Sequence, residues 1–272
     1  MLLIHLAIGG LVFGFGSAIG SFLNVVVYRV PAGLSILHPP SRCPTCLTRL
    51  GKRENVPILG WLWLRGKCRH CHTAIAPRYP LVELATGLMF AGVYAQWGLS
   101  LEAIAAATLL SWLLALALID HDTLTLPHSL TQSGLVMGLG FTLLLAWQQS
   151  GTVAESTNYL MSRIIGALVG LWGLDAIAFL GSVLMGRTAM GAGDAKLMAM
   201  VGAWLGWQAV LLSTFLGCVL GTVFGGSAIV LGWRDRAQPM PFGPYLALGA
   251  SISLFWGERI VRTYLTLFFP FN

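Results

Sequence analysis

Residues 1–29 read MLLIHLAIGGLVFGFGSAIGSFLNVVVYR, an apolar run whose first full charge is Arg29. A helix crossing a bilayer needs about 20 such residues, and this run exceeds that length. A secretory signal would open on basic residues and carry a shorter apolar core, so the stretch is expected to be a retained first transmembrane helix. Backbone groups in hydrocarbon must be satisfied internally, and the run lacks the alternation of a barrel strand, which leaves a helix.

The same pattern recurs outward from it. The 272 residues are 56% hydrophobic and only 10% charged, more apolar surface than a soluble core of this size could hide. Further runs of spanning type lie at about 81–97, 101–119, 129–147, 159–185, 195–205, 208–232 and 243–268, the sixth of the eight spans being short. The expected fold is therefore an all-α polytopic membrane protein with about eight transmembrane helices.

Its orientation follows from lysine and arginine. Of the 16 basic residues, Arg29, Arg42, Arg49, Lys52, Arg53, Arg65, Lys67, Arg69 and Arg78 fall between the first two spans. That loop is placed in the cytoplasm and the N-terminus outside. Arg187, Arg234 and Arg236 add support for the loops at 186–194 and 233–241, whereas Arg259 and Arg262 fall on the outer side, against the bias. The net charge of +6 thus reflects topology and contact with anionic membrane lipid. No nucleic-acid partner is expected, because stacking aromatics are not interleaved with the basic residues.

The expected organisation is residues 1–28 as the first helix, 29–80 as a cytoplasmic loop domain, and 81–272 as the main membrane domain. A stretch of some 50 residues is too short for a strong core without a staple. It carries CPTC at 43–46 and CRHC at 68–71. Two CxxC pairs at this spacing suit a zinc ribbon, with Cys43, Cys46, Cys68 and Cys71 as tetrahedral ligands. Disulfides are the competing reading, disfavoured in a reducing compartment. His70 and His72 flank the second pair as solvated side chains or substitute ligands. Gly217, Gly221 and Gly225 form a small-xxx-small stripe, as do Gly10 with Gly14 and Gly16 with Gly20, each read as close helix packing, and Cys218 among the first set reads as a small packing residue.

Carboxylates at membrane depth are costly and point to function. Glu83 and Asp120 lie near inner helix ends, Asp122 just beyond, Asp175 in mid-helix, and Asp194 inside AMGAGDAKLMAM at 189–200. Asp120 closes SWLLALALID and Asp194 opens the sixth span from the same side, so both sit at similar depth. Two carboxylates in reach of each other share a proton, one acting as base on water and the other as acid to a carbonyl oxygen. Gly191 and Gly193 clear space beside Asp194 for a substrate backbone and permit positive φ. Lys196 snorkels to the interface or biases a nearby acid. Taken alone, such acids also suit proton relay through Asp120, Asp175 and Asp194 in a transporter, or structural hydrogen bonding.

GSFLNVVVYRVP (20–31), CPTC, ENVPILGWLWLRGKCRHC (54–71), RYPLVE (78–83), ID (119–120), GAGDAK (191–196) and PMPFGPYLALG (239–249) together resemble the bacterial type IV prepilin peptidase family, in its order and over nearly the whole chain. The resemblance implies a GxGD intramembrane aspartic protease of the inner membrane. Such an enzyme cleaves the short basic leader from type IV prepilins or type II secretion pseudopilins at the cytoplasmic face. It then N-methylates the new N-terminus from S-adenosylmethionine. It implies Asp120 and Asp194 as the catalytic pair; Gly191, Gly193, Lys196, Asp122 and Glu83 are expected to bind substrate or support them. Two features depart from the pattern: His128 stands where a further acid is usual, and Asp175 has no counterpart in it. No strand followed by GxGxxG marks a place for S-adenosylmethionine, so the cysteine loop is expected to contribute. A non-catalytic assembly protein with a zinc loop is the remaining rival.

Overall fold

The computed structural model describes residues 2–150, 152–186, 190–233, 235 and 238–269. Arg187, Arg234 and Arg236, which entered the orientation argument, lie outside the described residues. Among the described residues the chain forms α1 (Leu2–Arg29), α2 (Leu59–Trp63), α3 (Arg78–Trp97), α4 (Leu101–Thr123), α5 (His128–Ser150), α6 (Val153–Met185), α7 (Ala192–Leu205), α8 (Trp207–Val230) and α9 (Gly243–Phe268). Every expected span coincides with a helix, and α2 is a short addition inside the basic loop. Among the described residues five helices, α1, α4, α5, α6 and α8, are long and apolar enough to cross a membrane. The 14 residues of α7 reach only about 21 Å, short of a hydrocarbon core about 30 Å thick.

The chain divides into two compact units, residues 1–111 and 112–272, with the division inside α4. In the first, α1 lies against α3 through small residues. A Cβ on Gly16 would stand 2.7 Å from Phe90 Cβ, and one on Gly20 would stand 2.8 Å from Glu83 Cα. Only glycine allows backbones this close. The other expected small-residue pair on α1, Gly10 with Gly14, meets nothing within 4 Å. That correction follows from where the helices touch: Leu3, Ile4 and Leu11 around the pair are exposed, a surface suited to lipid.

The second unit is built around α7, which is buried along nearly its whole length from Asp194 to Trp204. A helix apolar on all sides must be enclosed by others, and α5, α6, α8 and α9 all touch α7. The α6 crossing depends on facing glycines: Gly166 lies under Gly202, and Gly170 under Met198. From α5, Thr142 Oγ1 donates to the Ala203 carbonyl at 3.2 Å, and Trp204 Nε1 donates back to the Gly134 carbonyl at 2.7 Å. Burying these carbonyls with partners avoids the penalty of an unpaired polar group.

Gly217, Gly221 and Gly225 form the expected stripe on α8, packed against Leu246, Phe242 and Met240. Cys218 is not a packing residue: it is exposed. One residue turns a helix by about 100°, so the position beside Gly217 faces away from α9.

Candidate active site and metal centre

Asp120 comes at the end of α4, after Leu116 and Ile119, which are completely buried. Its own side chain is 6% exposed. The backbone N–H of Gly243, at the start of α9, donates to Asp120 Oδ2 at 2.8 Å. The first N–H groups of a helix have no partner within it, so the α9 terminus supplies a free donor and a partial positive charge. The fit requires glycine, because a Cβ on residue 243 would lie 2.8 Å from that oxygen and 3.0 Å from Cγ. Pro244 follows in the first turn, where the missing N–H costs nothing.

Asp194 lies in the first turn of α7 and is 7% exposed. Its N–H donates to the Gly191 carbonyl at 3.1 Å. Acids suit this position, since the helix dipole places partial positive charge there. Asp120 and Asp194 are near enough for the charge of one to act on the other. The structure therefore brings together two buried acids from the ends of α4 and α7, with the start of α9 beside the first.

The glycines of GAGD do other work than expected. Gly191 has φ −77° and Gly193 is helical, so neither uses the left-handed backbone that the sequence reading allowed. A Cβ on Gly193 would stand 3.0 Å from Leu126 Cβ, so this glycine closes α7 onto the turn that follows α4. Gly191 is exposed, and the nearest atom to a Cβ there is Asp194 Oδ2 at 3.9 Å. Lys196 is half-buried on α7, and Asp122 and His128 are exposed on either side of the α4–α5 turn. Asp175 is exposed on α6.

Glu83 serves a local purpose in the first unit. It is buried, and its Oε2 accepts the N–H of Ile58 at 2.6 Å. Ile58 has φ 61°, an unfavourable conformation for a β-branched residue, and it immediately precedes α2. The carboxylate thus pins the strained entry to α2 onto α3. Sequence reasoning missed both this bond and the Gly243 donor. The only signal for the latter was a glycine between Phe242 and Pro244 in PMPFGPY.

The four cysteines lie on two near-identical knuckles. Cys43 N–H donates to the Thr48 carbonyl and Leu47 N–H to the Cys43 carbonyl, while Cys68 with Thr73 and His72 with Cys68 repeat the pattern, all at 2.9–3.0 Å. Leu47 and His72 share positive φ, 58° and 56°. All four sulfurs fall within 4.8 Å of one another, with Cys43 to Cys71 at 3.7 Å and Cys46 to Cys68 at 3.9 Å. Zn–S bonds of about 2.3 Å give a tetrahedron with edges near 3.8 Å, so the set fits zinc. The cysteines are free thiols, and His70 and His72 are exposed and outside the cluster. The hydroxyl and backbone N–H of Thr73 hold the Cys71 thiol down, at about 6, which favours the thiolate that binds metal.

Two family models match the chain: the bacterial peptidase A24 N-terminal domain over residues 14–97 and the type IV leader peptidase family over residues 107–226. The prepilin leader peptidase/N-methyltransferase of Aeromonas salmonicida is 39% identical, over 94% of this chain and 93% of that protein. Its namesake in Aeromonas hydrophila is 39% identical over 95% and 94%. The one in Pseudomonas aeruginosa is 38% identical over 92% and 91%. No solved structure matches.

Proposed function

The chain belongs to the type IV leader peptidase family, and we propose that Asp120 and Asp194 are the pair with which it cleaves prepilins. Prepilin leader cleavage and N-methylation are its two reactions, and it is a multi-pass protein of the inner membrane. The relatives give the transporter reading no support.

The observation that carries the assignment is the Gly243 N–H held on Asp120 at 2.8 Å beside a second buried acid. An ionised Asp120 accepts that bond, so the N–H favours the charged form of one acid. The proton then resides on Asp194. Asp120 takes a proton from water as the water oxygen attacks the carbonyl before the mature N-terminus, while Asp194 protonates the carbonyl oxygen. The tetrahedral diol collapses with cleavage of the C–N bond: the nitrogen takes the proton held by Asp120 and leaves as the new amine, while Asp194 takes back a proton from a diol hydroxyl, which restores the pair. The substrate's apolar helix enters from the bilayer, and its basic leader stays in the cytoplasm, where the lysine and arginine bias places the loops. Prepilins and type II secretion pseudopilins are both of this form.

In this reading residues 1–28 anchor the chain, 29–80 form a cytoplasmic zinc-bearing module, and 81–272 hold the peptidase. Gly191, exposed beside Asp194, admits the extended substrate, Gly193 closes α7 onto Leu126, Lys196 and Asp122 are in support, and Glu83 acts by fixing α2. Zinc on Cys43, Cys46, Cys68 and Cys71 is structural, tying two knuckles together. S-adenosylmethionine supplies the methyl group, and no glycine-rich nucleotide loop in the chain fits it, so no residue is assigned to it. The cysteine module is its most economical location.

In proteoliposomes, Asp120→Asn and Asp194→Asn should each abolish cleavage of a prepilin, while Asp175→Asn leaves it intact. Full cleavage by either of the first two would refute the pair. Transfer of labelled methyl from S-adenosylmethionine to a pre-cleaved pilin should survive in both variants, since it needs no dyad.

A further inference from the structure

A cavity of about 730 Å³ opens between α6, α8 and α9, in the size range of ligand sites. Arg163, Arg262 and Gln208 are among its polar lining residues, and Leu212, Leu254 and Leu265 among the apolar ones. Its depth can be read along the helices. Arg163 stands beside Gly206, at the end of α7 opposite Asp194, about 18 Å along the helix at 1.5 Å per residue, and Arg262 lies about 29 Å along α9 from Gly243. Both arginines therefore lie toward the end of the second unit opposite the two acids.

Arg163 is half-buried there. Its Nη2 donates to Tyr159 Oη at 2.6 Å, and its guanidinium lies 4.8 Å from the centre of the same ring. Among the described residues it has no carboxylate partner. Arg262 is paired with Glu258 at 2.6 Å. The cavity thus carries one uncompensated positive charge on a side chain with donors to spare. Gly206, at φ 86°, leaves room for it, since a Cβ there would meet Nη1 at 3.1 Å.

We propose that this cavity binds an anionic phospholipid, its phosphate on Arg163 and an acyl chain along Leu212 and Leu254. A guanidinium fork matches phosphate oxygens in pairs, which an ammonium does not. Among the described residues the one carboxylate at the cavity is Glu258, already paired, so an uncharged headgroup such as glycerol fits better than a choline or ethanolamine cation. Gln208 offers an amide to its hydroxyls.

The test is native mass spectrometry of the full chain, released from detergent and titrated with phosphatidylglycerol. The wild type should keep one lipid through activation, and Arg163→Gln should weaken its binding about tenfold, the value of a lost charge-assisted hydrogen bond. Leu212→Trp keeps both arginines but fills the cavity, and should lower retention as well. Prepilin cleavage by each variant checks that it is folded. On the wild type, phosphatidylglycerol should raise the melting temperature more than phosphatidylcholine or inorganic phosphate. Equal retention by wild type and both variants would overturn the proposal. So would inorganic phosphate matching the lipid, which would make the site one for free phosphate.

Discussion

A single backbone N–H, that of Gly243, reaches one of the two buried acids of the proposed pair. The donor sits 2.8 Å from Asp120 Oδ2, and the absence of a side chain at 243 is what allows that distance. Gly243→Ala places a methyl against the carboxylate, so the helix start or the acid must shift by several tenths of an ångström. Misplacement on this scale in a reacting group costs up to about 100-fold in rate. Cleavage by Gly243→Ala is expected to fall by about that factor while the helical content of the purified protein stays at the wild-type level. Unchanged turnover would remove Gly243 from the site. Asp120 and Asp194 could be named from the sequence because a charge at the end of an apolar run is conspicuous. Gly243 could not, since its partner is 123 positions away and the bond exists only once α4 and α9 have packed. The same holds for Glu83, whose value depends on the φ of Ile58, an angle that no pattern in ENVPILGW announces.

At the scale of elements, the helices themselves were readable from apolar run length, and what was not readable was their mutual faces. Gly10 and Gly14 have the same spacing as Gly16 and Gly20, yet only the second pair touches another helix. Small residues permit close approach without specifying where it occurs. The crossing of α6 and α7 shows the consequence. Gly202 lies directly against the Gly166 backbone, and this contact holds the helix that carries Asp194. Gly202→Leu has no space for its side chain, and overpacking at such sites costs about 1–3 kcal/mol or more. Gly10→Ala adds a methyl in open space and improves helix propensity, so its effect should stay within about 0.5 kcal/mol. Thermal denaturation in detergent should separate the two, with Gly202→Leu melting well below the wild type and Gly10→Ala beside it. Equal melting temperatures would mean that the α6–α7 contact does not hold α7 in place.

For the whole molecule, two different kinds of cohesion meet in one chain. The bundle of α5 to α9 encloses α7 with apolar side chains and paired carbonyls, and its cohesion needs no ligand. The loop before α3 has almost no core of its own: Leu37, Leu47, Val56 and Leu59 are all exposed. Its order comes from two cysteine knuckles, the Glu83 bond to Ile58, and Trp61 Nε1 donating to the Ile75 carbonyl at 3.0 Å. A segment so constituted is expected to depend on the proposed zinc, because zinc bound to four thiolates supplies about 10 kcal/mol or more of folding free energy. Removing zinc with a strong chelator should therefore loosen residues 29–77 and leave the helices intact. Limited trypsin digestion reads this directly, since Arg42, Arg49, Lys52, Arg53, Arg65, Lys67 and Arg69 all lie in that loop. Chelated protein is expected to be cut there at least tenfold faster than the zinc-loaded form, with far-UV circular dichroism changed only slightly, and readdition of zinc should restore resistance. If the loop resists trypsin equally with and without metal, its order comes from the polypeptide alone, and the four sulfurs, for all their tetrahedral spacing, do not hold it together.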